Sequence, residues 1–454
     1  MPVVPLLHIP HPPQSLMNAA ILSIGDELTL GQCVDTNASW LAAEFAATGL
    51  ITIEHRTVAD DREAIARAVR ELASGVSVLV LTGGLGPTED DLTRFGLADA
   101  LDPGSELVVD SEAAAQLARW FDKRSQPMPR SNDVQTRRPP STRMIPNPHG
   151  TAPGLAGQLD QCRIFALPGP PREMMPMFRN HVRPALADLG KGVTLITEKI
   201  NSFGVGESLA AERLGELLAR DRETMVGITA GGSIVTARVR FRGAGDQARD
   251  EVQRVARRIE DLWKPYAFGR GEETLSEVIG TLLRDRGKTF ATAESCTGGW
   301  LGKLIVDVPG ASDYYRGGWV TYTNEMKTAC LGLSSELFDE GGPGAVSEMA
   351  ARTMAEGAIR QSGAAYSLAI TGIAGPDGGT SNKPVGTVYI GLGRPGGEQI
   401  NTVVRRFEFS GDRLAVRHRS ALTALQMLRF ELLGVTERVS MLWETPIMTE
   451  TPGS

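Results

Sequence analysis

The sequence predicts an α/β protein built from several domains: a doubly wound α/β domain, a small α+β domain and a second α/β domain. Three observations carry this reading. Short, nearly continuous apolar runs, such as residues 76–81 and 366–370, alternate with segments of helical period. Those runs lead into Gly-rich stretches, Gly83-Gly84-Leu85-Gly86 and residues 371–379, where strands of α/β folds hand over to ligand-binding loops. A length of 454 residues also exceeds what a single core ordinarily supports.

The first strand is expected over 19–24, ending in Gly25-Asp26-Glu27. Asp35 caps a helix that carries Trp40, Leu41 and Phe45 on one face and stops at Gly49. Residues 51–58 alternate like a strand, and Asp60 is expected to cap a helix running through Leu72. Residues 124–153, rich in Pro, Asn, Ser and Arg, read as a long loop before a strand at 164–167. From 192 to 266 the pattern becomes strand 194–203, helix 207–219, strand 233–242 and helix 246–263, followed by a linker at 269–273. Thr274 and Glu277 form a capping box ahead of the stripe Val278, Ile279, Leu282 and Leu283. Strands are expected at 289–293, 366–370, 388–392 and 403–409. A final helix, 412–433, is read as carrying Leu414, Ala421, Leu425, Leu428 and Leu432. The expected domains are 19–190, 191–270 and 271–436, with a disordered extension at 1–18, a patternless tail at 437–454 and Met17 as an alternative start.

Composition narrows the function classes. The net charge of −7 is spread along the chain without a long basic run, which disfavours nucleic acid as the main partner. Small anionic metabolites remain compatible, because loops and helix starts can hold phosphate. The four cysteines, at 33, 162, 296 and 330, show no CxxC or Cys/His ligand spacing, which fits free thiols in a reducing cytoplasm. No apolar run is long enough to cross a membrane, and residues 1–14 lack the order of a signal peptide.

In the last domain, Ser295 falls on a strand-to-helix turn, Glu294-Ser295-Cys296-Thr297-Gly298-Gly299. Such a turn exposes a side chain, and the helix start offers backbone N–H groups to a developing oxyanion. The alternative is a polar cap with two packing glycines. A serine nucleophile needs a base, and His418 is the lone histidine of this domain. Lys327, in the first turn of a helix that Asn324 can cap, is a candidate, with Tyr322 on the preceding strand to relay or hold a proton. The competing reading is a solvated lysine. Arg413 and Arg417 share a face near a helix N-terminus, where cations oppose the helix dipole, and this conflict points to an anionic partner.

These runs resemble the successive motifs of the CinA C-terminal family: Thr292 to Gly299, Tyr322-Thr323-Asn324 with Lys327, Ala369 to Pro376, and Phe409-Ser410-Gly411-Asp412-Arg413. The resemblance implies a nicotinamide-nucleotide amidohydrolase that deamidates nicotinamide mononucleotide. The family's serine nucleophile falls on Ser295, its lysine base on Lys327 and its tyrosine on Tyr322. Its substrate-binding threonine falls on Thr371 and its arginine on Arg413; Thr297, Gly298, Gly299, Asn324, Gly372 and Ala374 are read as further substrate-binding positions. Cys296 is the rival nucleophile. No cofactor is expected for this step.

In the first domain, Gly83-Gly84-Leu85-Gly86-Pro87-Thr88-Glu89-Asp90-Asp91 follows a buried strand. Its amides can cradle phosphate, and Asp90 and Asp91 can hold a divalent metal or simply charge a helix start. With Gly25-Asp26-Glu27-Leu28, Asp35-Thr36-Asn37, Pro146 to Gly154 and Leu167 to Met174, the run resembles the molybdopterin-binding-like domain of CinA proteins. The resemblance implies a metal-dependent ADP-ribose pyrophosphatase, or else a pterin-binding site as in molybdenum-cofactor relatives. Gly83, Gly84, Gly86, Thr88, Pro168 and Gly169 are the expected nucleotide-binding residues. The middle part resembles the KH-like segment of the family but lacks the GxxG of an RNA clamp, so it reads as a spacer or oligomer contact. The expected partners are therefore small nucleotides and a second copy in a homo-oligomer, most simply a dimer, with no nucleic acid or membrane. The competing class is a catalytically silent competence-associated scaffold.

Overall fold

In strand β1, Asn18–Ile24, alternate side chains enter two different cores. Ala19 and Ile21 meet Leu41 and Phe45 on one face of the sheet, while Ala20, Leu22 and Ile24 meet Ile65, Val69 and Leu97 on the other. A strand covered on both faces needs apolar residues at every position, which is why β1 and the later β3 read as continuous runs. The computed structural model describes residues 18–187, 189, 194–396 and 399–447. All but one residue of the expected extension over 1–18, and the end of the tail, lie outside the described residues.

The chain divides into two compact units. One extends through Ile196 and includes Phe241–Asp250; the other comprises Thr197–Arg240 and the chain from Glu251. In the first, β1 is followed by β2 (Ile51–Val58), β3 (Val78–Thr82), the short pair β4 (Val108–Val109) and β5 (Arg137–Arg138), and then β6 (Arg143–Ile145), β7 (Gly154–Leu159) and β8 (Cys162–Leu167). The main sheet has the order β2-β1-β3-β8-β7-β6. Strands β2, β1, β3 and β8 are parallel, and β7 and β6 are antiparallel. This is the doubly wound arrangement. Two local expectations change. Asp61, not Asp60, caps the helix Arg62–Ala73, because Asp60 is already engaged by the amide of Asp26. The expected loop 124–153 contains the 3₁₀ helix Arg130–Thr136 besides β5 and β6.

The α+β part contributes β9 (Thr194–Ser202), β10 (Met225–Gly231), β11 (Ile234–Gly243) and β12 (Ala267–Arg270), in the order β10-β11-β9-β12. Strand β10 was not expected, since most of it is exposed and its Gly and polar residues break the apolar alternation. Strand β12 replaces part of the expected linker through pairing with β9, a long-range partner that local pattern does not reveal. The helix after β9 stops at Leu214 and tightens to a 3₁₀ turn, Gly215–Leu218.

The last α/β part contains β13 (Phe290–Glu294), β14 (Tyr315–Val320), β15 (Tyr366–Gly372), β16 (Thr387–Gly396), β17 (Gln399–Glu408) and β18 (Glu444–Thr445), ordered β14-β13-β15-β16-β17-β18. Strands β14, β13 and β15 are parallel and the rest antiparallel. Leu368 and Ile370 pack on one face with the helices Leu275–Asp285 and Arg413–Leu432, while Ala291, Ala293 and Ala369 meet the helix Glu348–Ser362 on the other. The Thr274/Glu277 capping box forms as expected. Leu414 is exposed rather than buried, and Val416 fills the core position of the same turn. The tail is not patternless either: Met441 and Trp443 join the core beside Phe203 and Phe409. No helix among the described residues is long and apolar enough to cross a membrane.

The alanine-lined face lets the helix Glu348–Ser362 approach closely, and a Cβ at Gly357 would land on the Leu331 carbonyl. Helix propensity favours Ala over Gly by about 1 kcal/mol. Overpacking against backbone costs about 1–3 kcal/mol and should win. Gly357→Ala is therefore expected to lower the unfolding free energy in a urea titration; a gain would show that the helix has room to shift.

Candidate active sites

In the last α/β part, β13 pairs with β14 on one side and β15 on the other. Such a reversal opens a crevice beyond the strand carboxyl ends, where α/β sheets hold ligands. Three strand ends meet there. Ser295 follows β13 and its amide bonds Ile370 O of β15 at 2.9 Å. Thr321 follows β14 and its amide bonds Glu294 O at 2.9 Å. Lys327, in the helix Asn324–Leu331, returns its Nζ to Thr321 O at 3.0 Å and Tyr322 O at 3.4 Å. The chain thus brings the lysine to the strand end that neighbours Ser295.

Lys327 is 2% exposed and pairs with no carboxylate among the described residues. Burial lowers its pKa below the ordinary lysine range, opposed by Cys296 and then Glu325. The solvated-lysine reading is therefore excluded. Thr323, not Asn324, caps its helix, accepting from the Met326 amide; Asn324 is the first helical residue and is exposed.

The Ser295 turn differs from expectation in two respects: Ser295 is only 9% exposed rather than held out to solvent, and the neighbouring glutamate takes the helix-start amides. Glu294 is 1% exposed, and its carboxylate accepts from the amides of Leu301 at 3.0 Å and Gly302 at 2.8 Å. These helix-start donors of Trp300–Val306 are therefore spent. Within the turn, Gly298 N bonds Ser295 O, and Trp300 N bonds Thr297 O. The amides of Cys296, Thr297 and Gly299 have no backbone acceptor among the described residues, so any oxyanion donors of the turn lie there. Gly298 and Gly299 adopt φ of +58° and +89°, which the tight turn requires. Sequence reading overlooked Glu294; its place inside the Ser295 motif was the available signal.

Tyr322 lies beyond β14, not on it, and is 59% exposed. Its phenol oxygen accepts from Arg413 Nη2 at 2.8 Å, and Arg413 Nη1 bonds Gly375 O at 2.7 Å. Arg413 therefore joins the Tyr322 loop to the Gly-rich loop after β15. Arg417 bonds Thr297 O at 2.7 Å and lies over the Trp300 ring. Thr371 is buried, its hydroxyl donating to Ala345 O at 2.6 Å, and Gly372 and Ala374 continue the same crossing. Cys296 is buried, which pushes its thiol up to about 12, so it is neutral at pH 7 and a poor nucleophile.

The first unit has a similar reversal, with β2 and β3 on opposite sides of β1. A cavity of 560 Å³ lies beyond these strand ends, lined by Gly83, Gly84, Gly86, Asp90, Pro168 and Gly169 among others. Gly83 has a φ of +106°, and a Cβ there would strike the Ile24 carbonyl. The loop carbonyls are held from below: Gly83 O by Thr93 Oγ1 at 2.8 Å, Gly84 O by Thr93 N at 3.1 Å, and Leu85 O by Arg94 Nη2 at 3.0 Å. Across the cavity, Asn37 Nδ2 bonds Thr82 Oγ1 at 3.1 Å and Gly169 O at 2.7 Å.

The two metal candidates separate. Asp91 braces the loop, accepting from Gly86 N at 2.7 Å, Thr88 N at 2.8 Å and the Thr88 hydroxyl. Asp90 is exposed, and Thr88, which gives both its amide and its hydroxyl to Asp91, leaves it free of that brace. Asp60 is raised, first by burial and then by the charges of Asp26, Glu27 and Asp90. Among the described residues no three His, Cys, Asp or Glu side chains are grouped to hold a metal ion by themselves.

Exposure and burial set the thiol chemistry. Iodoacetamide at pH 8 is expected to label exposed Cys33 and spare Cys162 and Cys296, both buried and raised to about 12. Peptide mass mapping checks this; rapid labelling of Cys296 in the folded protein would restore it as a rival nucleophile.

Comparison with known proteins gives one consistent picture. Residues 20–188 match the family described as "Probable molybdopterin binding domain", residues 197–269 the "Damage-inducible protein CinA KH domain", and residues 272–432 the "CinA C-terminal domain". A relative from Symbiobacterium thermophilum, named for competence-damage induction, is 42% identical over 433 residues, covering 92% of this chain and 99% of its own. A "CinA-like protein" of Syntrophotalea carbinolica is 39% identical over 415 residues, covering 91% and 98%. A crystal structure of a competence/damage inducible protein from Agrobacterium tumefaciens is 37% identical, covers 35% of this chain and 93% of its own, and has a TM-score of 0.33. With all three domain families in order and such identity over nearly the whole length, this chain belongs to the CinA family.

Proposed function

We propose that the C-terminal site is a Ser/Lys amidohydrolase that converts nicotinamide mononucleotide and water to nicotinate mononucleotide and ammonia. The observation that carries this is Lys327: a buried lysine without a carboxylate partner, at the strand end adjoining Ser295. As a neutral amine it has two hydrogens for Thr321 O and Tyr322 O and a lone pair left to accept the Ser295 proton. Ser295 Oγ then attacks the carboxamide carbon, and the negative oxygen gains the free amides of the turn. Lys327 passes the proton to the departing nitrogen, and ammonia leaves. Water attacks the acyl-enzyme, giving its proton to Lys327, which returns it to Ser295. Arg413, at the mouth of the site, supports recognition of the substrate phosphate. Free cysteines and a nucleotide substrate suit a reducing, cytoplasmic compartment.

Ser295→Ala should abolish ammonia release. Lys327→Arg should be nearly as damaging as Lys327→Ala, because a guanidinium cannot accept the proton at working pH. The pH profile has a definite sign. Protonation removes the base, so turnover should fall as pH drops through the lowered Lys327 pKa, and this acid limb should disappear from the residual rate of Lys327→Ala. Substantial turnover in Lys327→Arg would make Lys327 a phosphate anchor instead.

The N-terminal cavity supports a second activity, metal-dependent cleavage of ADP-ribose. Its amide-bearing loop suits a pyrophosphate, and the neighbouring carboxylates Asp26, Asp60 and Asp90 have no basic partner among the described residues. Magnesium-type sites need only one or two carboxylates, with phosphate oxygens and water completing the shell, so the absence of a three-residue cage fits. Asp90 with Asp60 would hold the ion, which when bound offsets phosphate charge and polarises the phosphoryl group. Asp90→Asn and a chelator should each abolish ADP-ribose cleavage and spare ammonia release. Loss of both activities on chelation would contradict the metal-free amidase mechanism.

A further inference from the structure

The floor beneath the Gly83–Asp91 loop holds a cation with almost nothing to bind. Arg94, second residue of the helix Thr93–Leu101, is 0% exposed. Of its three guanidinium nitrogens only Nη2 finds an acceptor, Leu85 O at 3.0 Å; Nε and Nη1 are shielded from solvent and have no partner. Leu85 O is itself shared with Gln135 Nε2 at 3.3 Å. No carboxylate pairs with Arg94 among the described residues. The acid whose charge reaches it, Asp91, already accepts from Gly86 N, Thr88 N and the Thr88 hydroxyl. Burial lowers the guanidinium to about 10, which still leaves it charged at neutral pH.

A structural arginine in a core has its fork satisfied, and an unpaired buried charge opposes folding. Leu or Met would fill this volume without that cost. The loop above shows where compensation belongs. Three consecutive carbonyls, of Gly83, Gly84 and Leu85, bond the floor. In a trans peptide the N–H points opposite to the C=O. The amides of Gly84 and Leu85 therefore project away from the floor, and they have no partner among the described residues that line the cavity. The third plane, with its N–H at Gly86, is fixed between Arg94 and Asp91.

We propose that Arg94 is a positioning residue for a phosphate or pyrophosphate group seated on this loop, fixing the Leu85–Gly86 peptide from beneath and supplying the positive charge that the exposed amides alone lack. This rests on the reading of the N-terminal cavity as a nucleotide site, and it names the feature of the ligand that the floor selects: the phosphoanhydride rather than the nucleoside.

The test uses the full chain and its Arg94→Gln, Arg94→Met and Arg94→Lys variants. Calorimetric titrations with inorganic pyrophosphate and ADP-ribose are compared with adenosine as the phosphate-free probe. Gln and Met should weaken both phosphate ligands about tenfold or more, a factor one unit charge supplies over a few ångströms at an effective dielectric of about 20. Adenosine affinity should not change, the melting temperature of the free protein should hold or rise, and Lys should retain phosphate binding within about threefold. If Met fails to fold, the Gln and Lys pair still decides. Wild-type pyrophosphate affinity in Arg94→Gln, or equal loss for adenosine and pyrophosphate with a lowered melting temperature, would overturn the proposal. A wild-type chain that binds neither pyrophosphate nor ADP-ribose would overturn the nucleotide-site reading itself.

Discussion

Parallel pairing on both sides of one central strand is the constraint on which both sites depend. When β1 is flanked by β2 and β3, or β13 by β14 and β15, the connecting helices must leave on opposite faces. A crevice opens where the connections part, and the carboxyl ends of three neighbouring strands reach it. Residues that are distant in the chain then share a space. Ser295, Thr321 and Thr371 each follow or end a strand, and backbone bonds from Ser295 to Ile370 and from Thr321 to Glu294 fix their spacing. The geometry of the candidate site is thus set by sheet register.

Each site also holds a buried basic side chain that pairs with no carboxylate among the described residues. Lys327 bonds two carbonyls, which stabilise an ammonium less than a carboxylate would, so burial prevails and lowers its pKa. Arg94 cannot shed its proton at neutral pH and keeps the charge instead. The same burial therefore lowers the pKa of one side chain and leaves a fixed positive charge on the other, and the difference lies in the intrinsic basicity of the two side chains. One carboxylate in each site is committed to backbone: Glu294 accepts from the amides of Leu301 and Gly302, and Asp91 from those of Gly86 and Thr88.

Most of the strands and helices were legible, because burial on both faces forces apolar runs and capping residues mark helix starts. Asp35 and Thr274 cap where the sequence places them, while Asp412, read as the first residue of the final helix, is its cap instead. The errors share a cause. Strands β10, β12 and β18 are held by pairing with distant partners, and little of their own composition records it. The Asp60/Asp61 and Thr323/Asn324 pairs each offered two plausible caps one residue apart, and a tertiary contact or the local φ decided between them.

The sequence by itself determined the order of the three domain types, the family and the residue types at each strand end, because these follow from periodicity and from contiguous motifs. Tertiary structure alone decided what those residues can do. It buried Lys327 and Cys296 but left Tyr322 exposed on Arg413, assigned Asp91 to the loop, and placed Arg94 beneath it. Burial and partner are properties of the folded surroundings, whether the partner lies a few residues away, as Leu85 does from Arg94, or far along the chain, as Arg413 does from Tyr322. They set protonation state and charge, and no local pattern contains them.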